Sequence, residues 1–100
     1  MSEHANLSGR SALVCGASAG IGRATALALA RRGASVAVLA RREDRLVALL
    51  PELVEAGAER AVAVVADLDE RDDLAEKLLV LLADFGAINI LVNNTGGPPA

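Results

Sequence analysis

The chain has 100 residues, enough for one domain with its own core and too few for two. Its ten cationic residues are scattered among thirteen acidic ones, giving a formal charge of −3 and a pI near 5.0. That balance supplies no basic field for nucleic acid. Apolar residues make up 53% and charged residues 23% of the chain, a globular mixture of helices and buried strands.

The single cysteine, Cys15, excludes an intramolecular disulfide and fits a reducing compartment. Met1–Asn6 lacks a basic segment followed by an apolar run, and no apolar stretch approaches the ~20 residues needed to span a bilayer. The expected location is cytoplasmic, with neither nucleic acid nor a membrane as partner.

Four short apolar runs are expected as buried strands: Ser11 to Cys15, Ser35 to Ala40, Ala61 to Ala66 and Ile88 to Val92. The segments between them carry helical period. Leu46, Leu49, Leu50, Leu53 and Val54 step by three and four along one face, and Leu74, Leu78, Leu81, Leu82 and Phe85 repeat the pattern. Gly33, Gly57 and Gly86 each fall where a helix should end and a strand begin. Pro51 interrupts the second helical segment, where a proline removes a backbone donor and clashes with the preceding turn. A kink or break is expected near Val47 to Leu50.

Strand and helix in alternation predict a parallel sheet covered by helices. Right-handed crossovers then give strand order 3-2-1-4, a partial doubly wound α/β sheet of the Rossmann type. A ligand is expected over the carboxyl ends of the first and fourth strands.

Between the first strand and first helix lies Gly16-Ala17-Ser18-Ala19-Gly20-Ile21-Gly22. At that place unpaired backbone N–H groups and the positive end of the helix dipole can hold a pyrophosphate. Gly16 then serves the turn off the strand, Gly20 the close approach of backbone to phosphate, and Gly22 the packing of helix against sheet. The alternative is a Gly/Ala-rich turn with no ligand. A Walker A loop is ruled out, because Ile21 stands where its second glycine should be and Arg23 offers no Lys-Ser/Thr pair.

The Gly-x-x-x-Gly-x-Gly spacing and the wording Ala-Ser-Ala-Gly-Ile-Gly-Arg resemble the short-chain dehydrogenase/reductase family. The resemblance extends from about Leu7 to Gly96 and implies that Gly16, Ser18, Ala19, Gly20, Ile21 and Gly22 contact a nicotinamide dinucleotide. Ala40 matches the family's acidic ribose-binding position at the end of the second strand, and Arg41, with Arg42 beside it, offers a guanidinium for a 2′-phosphate. The implied cofactor is NADP(H) rather than NAD(H). Otherwise Arg41 and Arg42 are solvated cations opening the next helix. Ala19 departs from the pattern, since many NADP-dependent relatives carry a second basic residue there.

Asp67-Leu68 matches the family's acid-plus-aliphatic pair, which implies that Asp67 binds the adenine amine and Leu68 lies near the ring. Without the resemblance, Asp67 followed three residues later by Glu70 is a helix cap. Asn93-Asn94-Thr95-Gly96 resembles the family's Asn-Asn-Ala-Gly, implying that Asn93 fixes the strand end and that Asn94 and Gly96 border the ribose and nicotinamide side. The alternative is a simple Asn/Gly turn. Cys15 stands where the family has a threonine whose hydroxyl ties strand one to strand four, so that tether is in question. Cys15 is expected as a buried small hydrophobe rather than a reactive thiol, and no second Cys and only one His, His4, are present to build a metal site.

The family's reaction is hydride transfer between nicotinamide and a small carbonyl or alcohol, with a Tyr as acid/base assisted by Lys, Ser and Asn. This sequence has no Tyr, and its only Lys, Lys77, falls in the helix before strand four. No catalytic residue is therefore assigned. Residues 1–100 are expected to be the N-terminal, cofactor-binding portion of a longer domain, inactive alone and a fragment or truncated product, with the parent a homo-oligomer. An edge at strand four and uncovered helix faces should follow. A non-catalytic nucleotide-binding or interaction module on the same fold is the other reading.

Overall fold

A computed structural model describes residues 6–93. The elements follow in chain order as β1 (Ser11–Cys15), α1 (Gly20–Arg31), β2 (Ser35–Ala40), α2 (Glu43–Ala56), β3 (Ala61–Val65), α3 (Arg71–Phe85) and β4 (Ile90–Asn93). All strand pairs are parallel, in the expected order β3-β2-β1-β4.

The strand residues sort by the period of two that a pleated strand imposes. Val14, Val36 and Val38 face one side, where they pack with Ala26 and Ala30 of α1 and with Leu46, Leu49 and Leu53 of α2. Leu13, Cys15, Ala37, Leu39 and Val64 face the other side, toward Leu81 of α3. Helices thus cover both faces, which is why the central strands β1 and β2 are continuous apolar runs rather than alternating ones. Ala26 and Ala30 are fully buried, and their small side chains let α1 lie close against the sheet. Each fully buried leucine of α2 contributes about 1.5–3 kcal/mol of apolar burial.

The helix ends follow the glycines. Gly57 and Gly86 are the residues that close α2 and α3, and Gly33 lies just past Arg32, the residue that closes α1, each glycine at positive φ. Pro51 does not break α2, which runs unbroken from Glu43 to Ala56. Both Pro51 and Val47, the residue whose carbonyl loses its donor, lie on the exposed side. Water can satisfy that carbonyl, and the buried stripe is left intact.

Two strand boundaries differ from expectation. The third strand ends at Val65, although the Ala66 N–H still donates to the Ala40 carbonyl at 3.0 Å. The fourth begins at Ile90 rather than Ile88 because Asn89 docks on Ser11 first: its N–H donates to the Ser11 carbonyl at 2.8 Å and its Oδ1 accepts the Ser11 N–H at 2.9 Å.

Among the described residues β4 is an outer strand of the sheet, with Leu91 exposed, and α3 carries exposed Leu79 and Val80. Only Leu81 of α3 is buried. No described helix is long and apolar enough to cross a membrane.

Candidate functional site

The site is built at the carboxyl ends of the parallel strands, where the chain leaves β1, β2, β3 and β4. Gly16 turns the chain off β1 with φ +78°, and its N–H donates to the Leu39 carbonyl at 2.8 Å, so the loop starts tied to β2. Ala17 is buried beneath the loop, Ser18 is half-buried, and Ala19 and Gly20 face solvent.

Ala19 is the residue before α1 and has no side-chain oxygen, so no cap satisfies the first N–H groups of the helix. The first turn of α1 also carries no acid, whereas α2 and α3 open with Glu43-Asp44 and Asp72-Asp73. The positive end of α1 thus meets neither a capping side-chain oxygen nor an acid of its own first turn.

The glycines divide the work. Gly20 has φ +62° and nothing within 4 Å of the place a β-carbon would take, so backbone and open space meet there. A β-carbon on Gly22 would lie 2.1 Å from the Gly16 carbonyl oxygen and 3.2 Å from the Ala17 Cα. Gly22 thus packs α1 against its own loop, a closer contact than the helix-on-sheet packing expected for it. Ile21 is 74% exposed at the mouth. The Arg23 guanidinium turns away to pair with Glu52 on α2, tying the two helices together.

At the end of β2, Ala40 is half-buried and Arg41 and Arg42 are exposed. Arg42 precedes α2, and its Nε lies 3.9 Å from Asp44 Oδ1. Arg41 instead faces the end of β3, its guanidinium 4.0 Å from Asp67 Oδ2. Asp67 is not the cap of α3. Glu70 holds that position without a side-chain hydrogen bond, while Asp67 Oδ1 accepts the Asp69 N–H at 2.9 Å in a local turn. The capping alternative is thereby corrected, because the helix starts too late for Asp67 to reach its first free donors. Leu68 follows with its side chain partly exposed.

The structure brings together Arg41 and Asp67, a juxtaposition sequence reasoning missed. Ala40 and Val65 are register partners, so the residues just past them emerge side by side, a relation that the register of β2 on β3 reveals. Asn93 is exposed at the end of β4 and is the register partner of Cys15. The expected contributions of Asn94 and Gly96 lie outside the described residues, as do His4 and the Gly97-Pro98-Pro99 stretch.

Cys15 is buried beneath the loop, and desolvation raises its thiol pKa above the ordinary 9.0. A reactive thiolate would need the opposite shift. The only Lys, Lys77, donates from α3 to the Val65 carbonyl and pairs with Asp73 at 3.2 Å, away from the glycine loop.

A doubly wound parallel sheet with an uncapped glycine-rich helix start at its carboxyl edge defines a nucleotide-binding α/β protein. Residues 10–100 match the family model for short chain dehydrogenase, and the chain belongs to that family. It is 41% identical over 88 residues to the 3-oxoacyl-[acyl-carrier-protein] reductase FabG of Staphylococcus epidermidis, which covers 87% of this chain and 36% of that protein. Its fold is similar to a metagenomic short-chain oxidoreductase crystallised with NADP, with TM-score 0.86, 41% identity, and coverage of 93% of this chain and 42% of the other. An NAD+-bound xylitol dehydrogenase gives TM-score 0.87 at 33% identity, covering 94% of this chain and 36% of the other. The chain spans about a third of the length of the curated relatives it matches.

Proposed function

We propose that residues 1–100 form the cofactor-binding portion of an NADP(H)-dependent oxidoreductase that acts on a small carbonyl or alcohol. The single observation that carries the cofactor choice is Arg41. At the end of β2, where an NAD binder presents an acid to the ribose hydroxyls, this chain presents Ala40 and an exposed guanidinium.

In this reading the backbone N–H groups of Gly20, Ile21 and Gly22, with the turn through Gly16, Ser18 and Ala19, hold the pyrophosphate. Arg41, flanked by Arg42, engages the 2′-phosphate. Asp67 accepts from the adenine amine and Leu68 lies against the ring, while Asn93, Asn94 and Gly96 border the ribose and nicotinamide. The cofactor, when bound, supplies or accepts the hydride. The sequence has no Tyr for the acid/base role, and Lys77 is engaged with the Val65 carbonyl and Asp73, so no residue of this chain is assigned to that side of the reaction. The longer protein is a cytoplasmic homo-oligomer in this proposal. Similarity to a FabG reductase and to an NADP-bound oxidoreductase supports the reaction class.

Titration of NADP(H) against NAD(H) tests the proposal. NADP(H) should bind more tightly, and Arg41→Ala should remove the preference, a loss of about tenfold or more for a charge-assisted contact. An unchanged preference in Arg41→Ala overturns the ribose-phosphate role.

A further inference from the structure

We infer that Asp67 sets the strength of discrimination between phosphorylated and unphosphorylated adenosine ribose by competing with the 2′-phosphate for the Arg41 guanidinium. This rests on the nucleotide reading above and adds to it a residue that works against the phosphate.

Three observations carry it. Asp67 Oδ2 lies 4.0 Å from the Arg41 guanidinium, so a carboxylate already faces the cation that a 2′-phosphate would seek. The carboxylate is not free to swing away, because its other oxygen accepts the Asp69 N–H at 2.9 Å. Arg41 itself is 74% exposed, and Asp67 is its only charged partner among the described residues. A guanidinium on so loose a tether turns easily between two anions.

The neighbouring cation offers no relief. Arg42 lies 3.9 Å from Asp44, so each arginine at this rim faces its own carboxylate. The two pairs sum to zero formal charge where a phosphate dianion would arrive. Binding a 2′-phosphate must then draw Arg41 off Asp67 or place a second anion beside the first. Either route costs affinity for the phosphorylated ribose and leaves the unphosphorylated one untouched. Exposed ion pairs of this length are weak, which sets the expected effect at about three- to fivefold.

The experiment uses the full chain and two probes, adenosine 2′,5′-bisphosphate and adenosine 5′-diphosphate, titrated by calorimetry at low and at high salt. Asp67→Asn keeps a carbonyl oxygen for the Asp69 N–H and removes the charge; Asp67→Ser does the same with a hydroxyl. Any loss of an adenine contact falls on both probes and divides out of their affinity ratio. Both variants should raise the ratio in favour of the 2′,5′-bisphosphate about three- to fivefold at low salt, less at high salt. In an Arg41→Ala background the same substitutions should change it much less. A ratio that stays constant or falls in both variants overturns the inference, as does an equal rise without Arg41. If Arg41→Ala lowers the ratio while Asp67→Asn leaves it fixed, the competition fails and the cofactor reading stands. If the unmodified chain binds neither probe, both fall together.

Discussion

The carbonyl oxygen of Gly16 occupies the space that a β-carbon on Gly22 would need, at a separation of 2.1 Å. One loop is thereby closed by the absence of a single methyl group. Both partners are backbone, so neither can rotate out of the way. Gly22→Ala should cost about 1–3 kcal/mol through overpacking, despite the better helix propensity of alanine. Urea denaturation monitored by circular dichroism will read this, and a stability equal to that of the parent chain contradicts the packing.

Gly20 should respond differently although it lies only two residues away. Its missing β-carbon has open space around it, and only φ +62° penalises a side chain. Gly20→Ala is therefore expected to lose about 1–2 kcal/mol of stability through backbone strain, yet to weaken nucleotide binding as well by standing between backbone and phosphate. Measuring both quantities on the same variant separates the effects. Undiminished affinity would show that the phosphate does not approach Gly20.

Arg60 joins the start of β3 to the end of α3. Its NH2 is 2.7 Å from Asp84 Oδ2, its NH1 donates to the Asp84 carbonyl at 3.2 Å, and its guanidinium carbon lies 4.9 Å from the centre of the Phe85 ring. The groups are about half exposed, so the ion pair counts for little and the stacking for somewhat more. Arg60→Ala should lower stability by about 1 kcal/mol, or roughly 4–8 °C in Tm for a domain of this size. Lysine cannot reproduce the fork and the stack together, so Arg60→Lys should recover only part of the loss.

Cys15 gives a prediction in pH. Burial raises its folded thiol pKa above the ordinary 9.0, so the folded chain holds its proton where the unfolded chain has lost it. The stability this contributes is fully present below pH 9.0 and declines as pH rises through the raised value. Cys15→Ser or Cys15→Ala should flatten that alkaline decline. At neutral pH a thiol reagent should label native Cys15 far more slowly than the same residue in urea; equal rates would place the thiol at the surface.

Much of the fold was legible because two periods do most of the specifying. The continuous apolar runs of β1 and β2, whose side chains the pleat sends alternately to two covered faces, and the leucines at three and four in α2 have few other arrangements that bury them. The break expected at Pro51 is absent because the Val47 carbonyl it leaves without a donor faces water, and exposure is a tertiary property. Asn89 was unreadable for a related reason: its role depends on Ser11, 78 positions away, lying opposite it. The glycine loop was visible as a pattern, but the reason for Gly22 required knowing that the chain folds back on Gly16. Asp67 was seen as a cap or an adenine ligand, and its facing Arg41 emerged only with the register of β2 on β3.

The strands that bury their side chains also deliver Gly20, Arg41 and Asp67 to a solvent-facing rim, where none of the three helps to fill the core. Arg41 and Asp67 can therefore change without disturbing the packed interior, whereas Gly20 is held by its backbone conformation. On the proposed reading, charges at the rim can change with little cost to the core, while Gly22, two positions from Gly20, is denied that freedom by the carbonyl pressed against it.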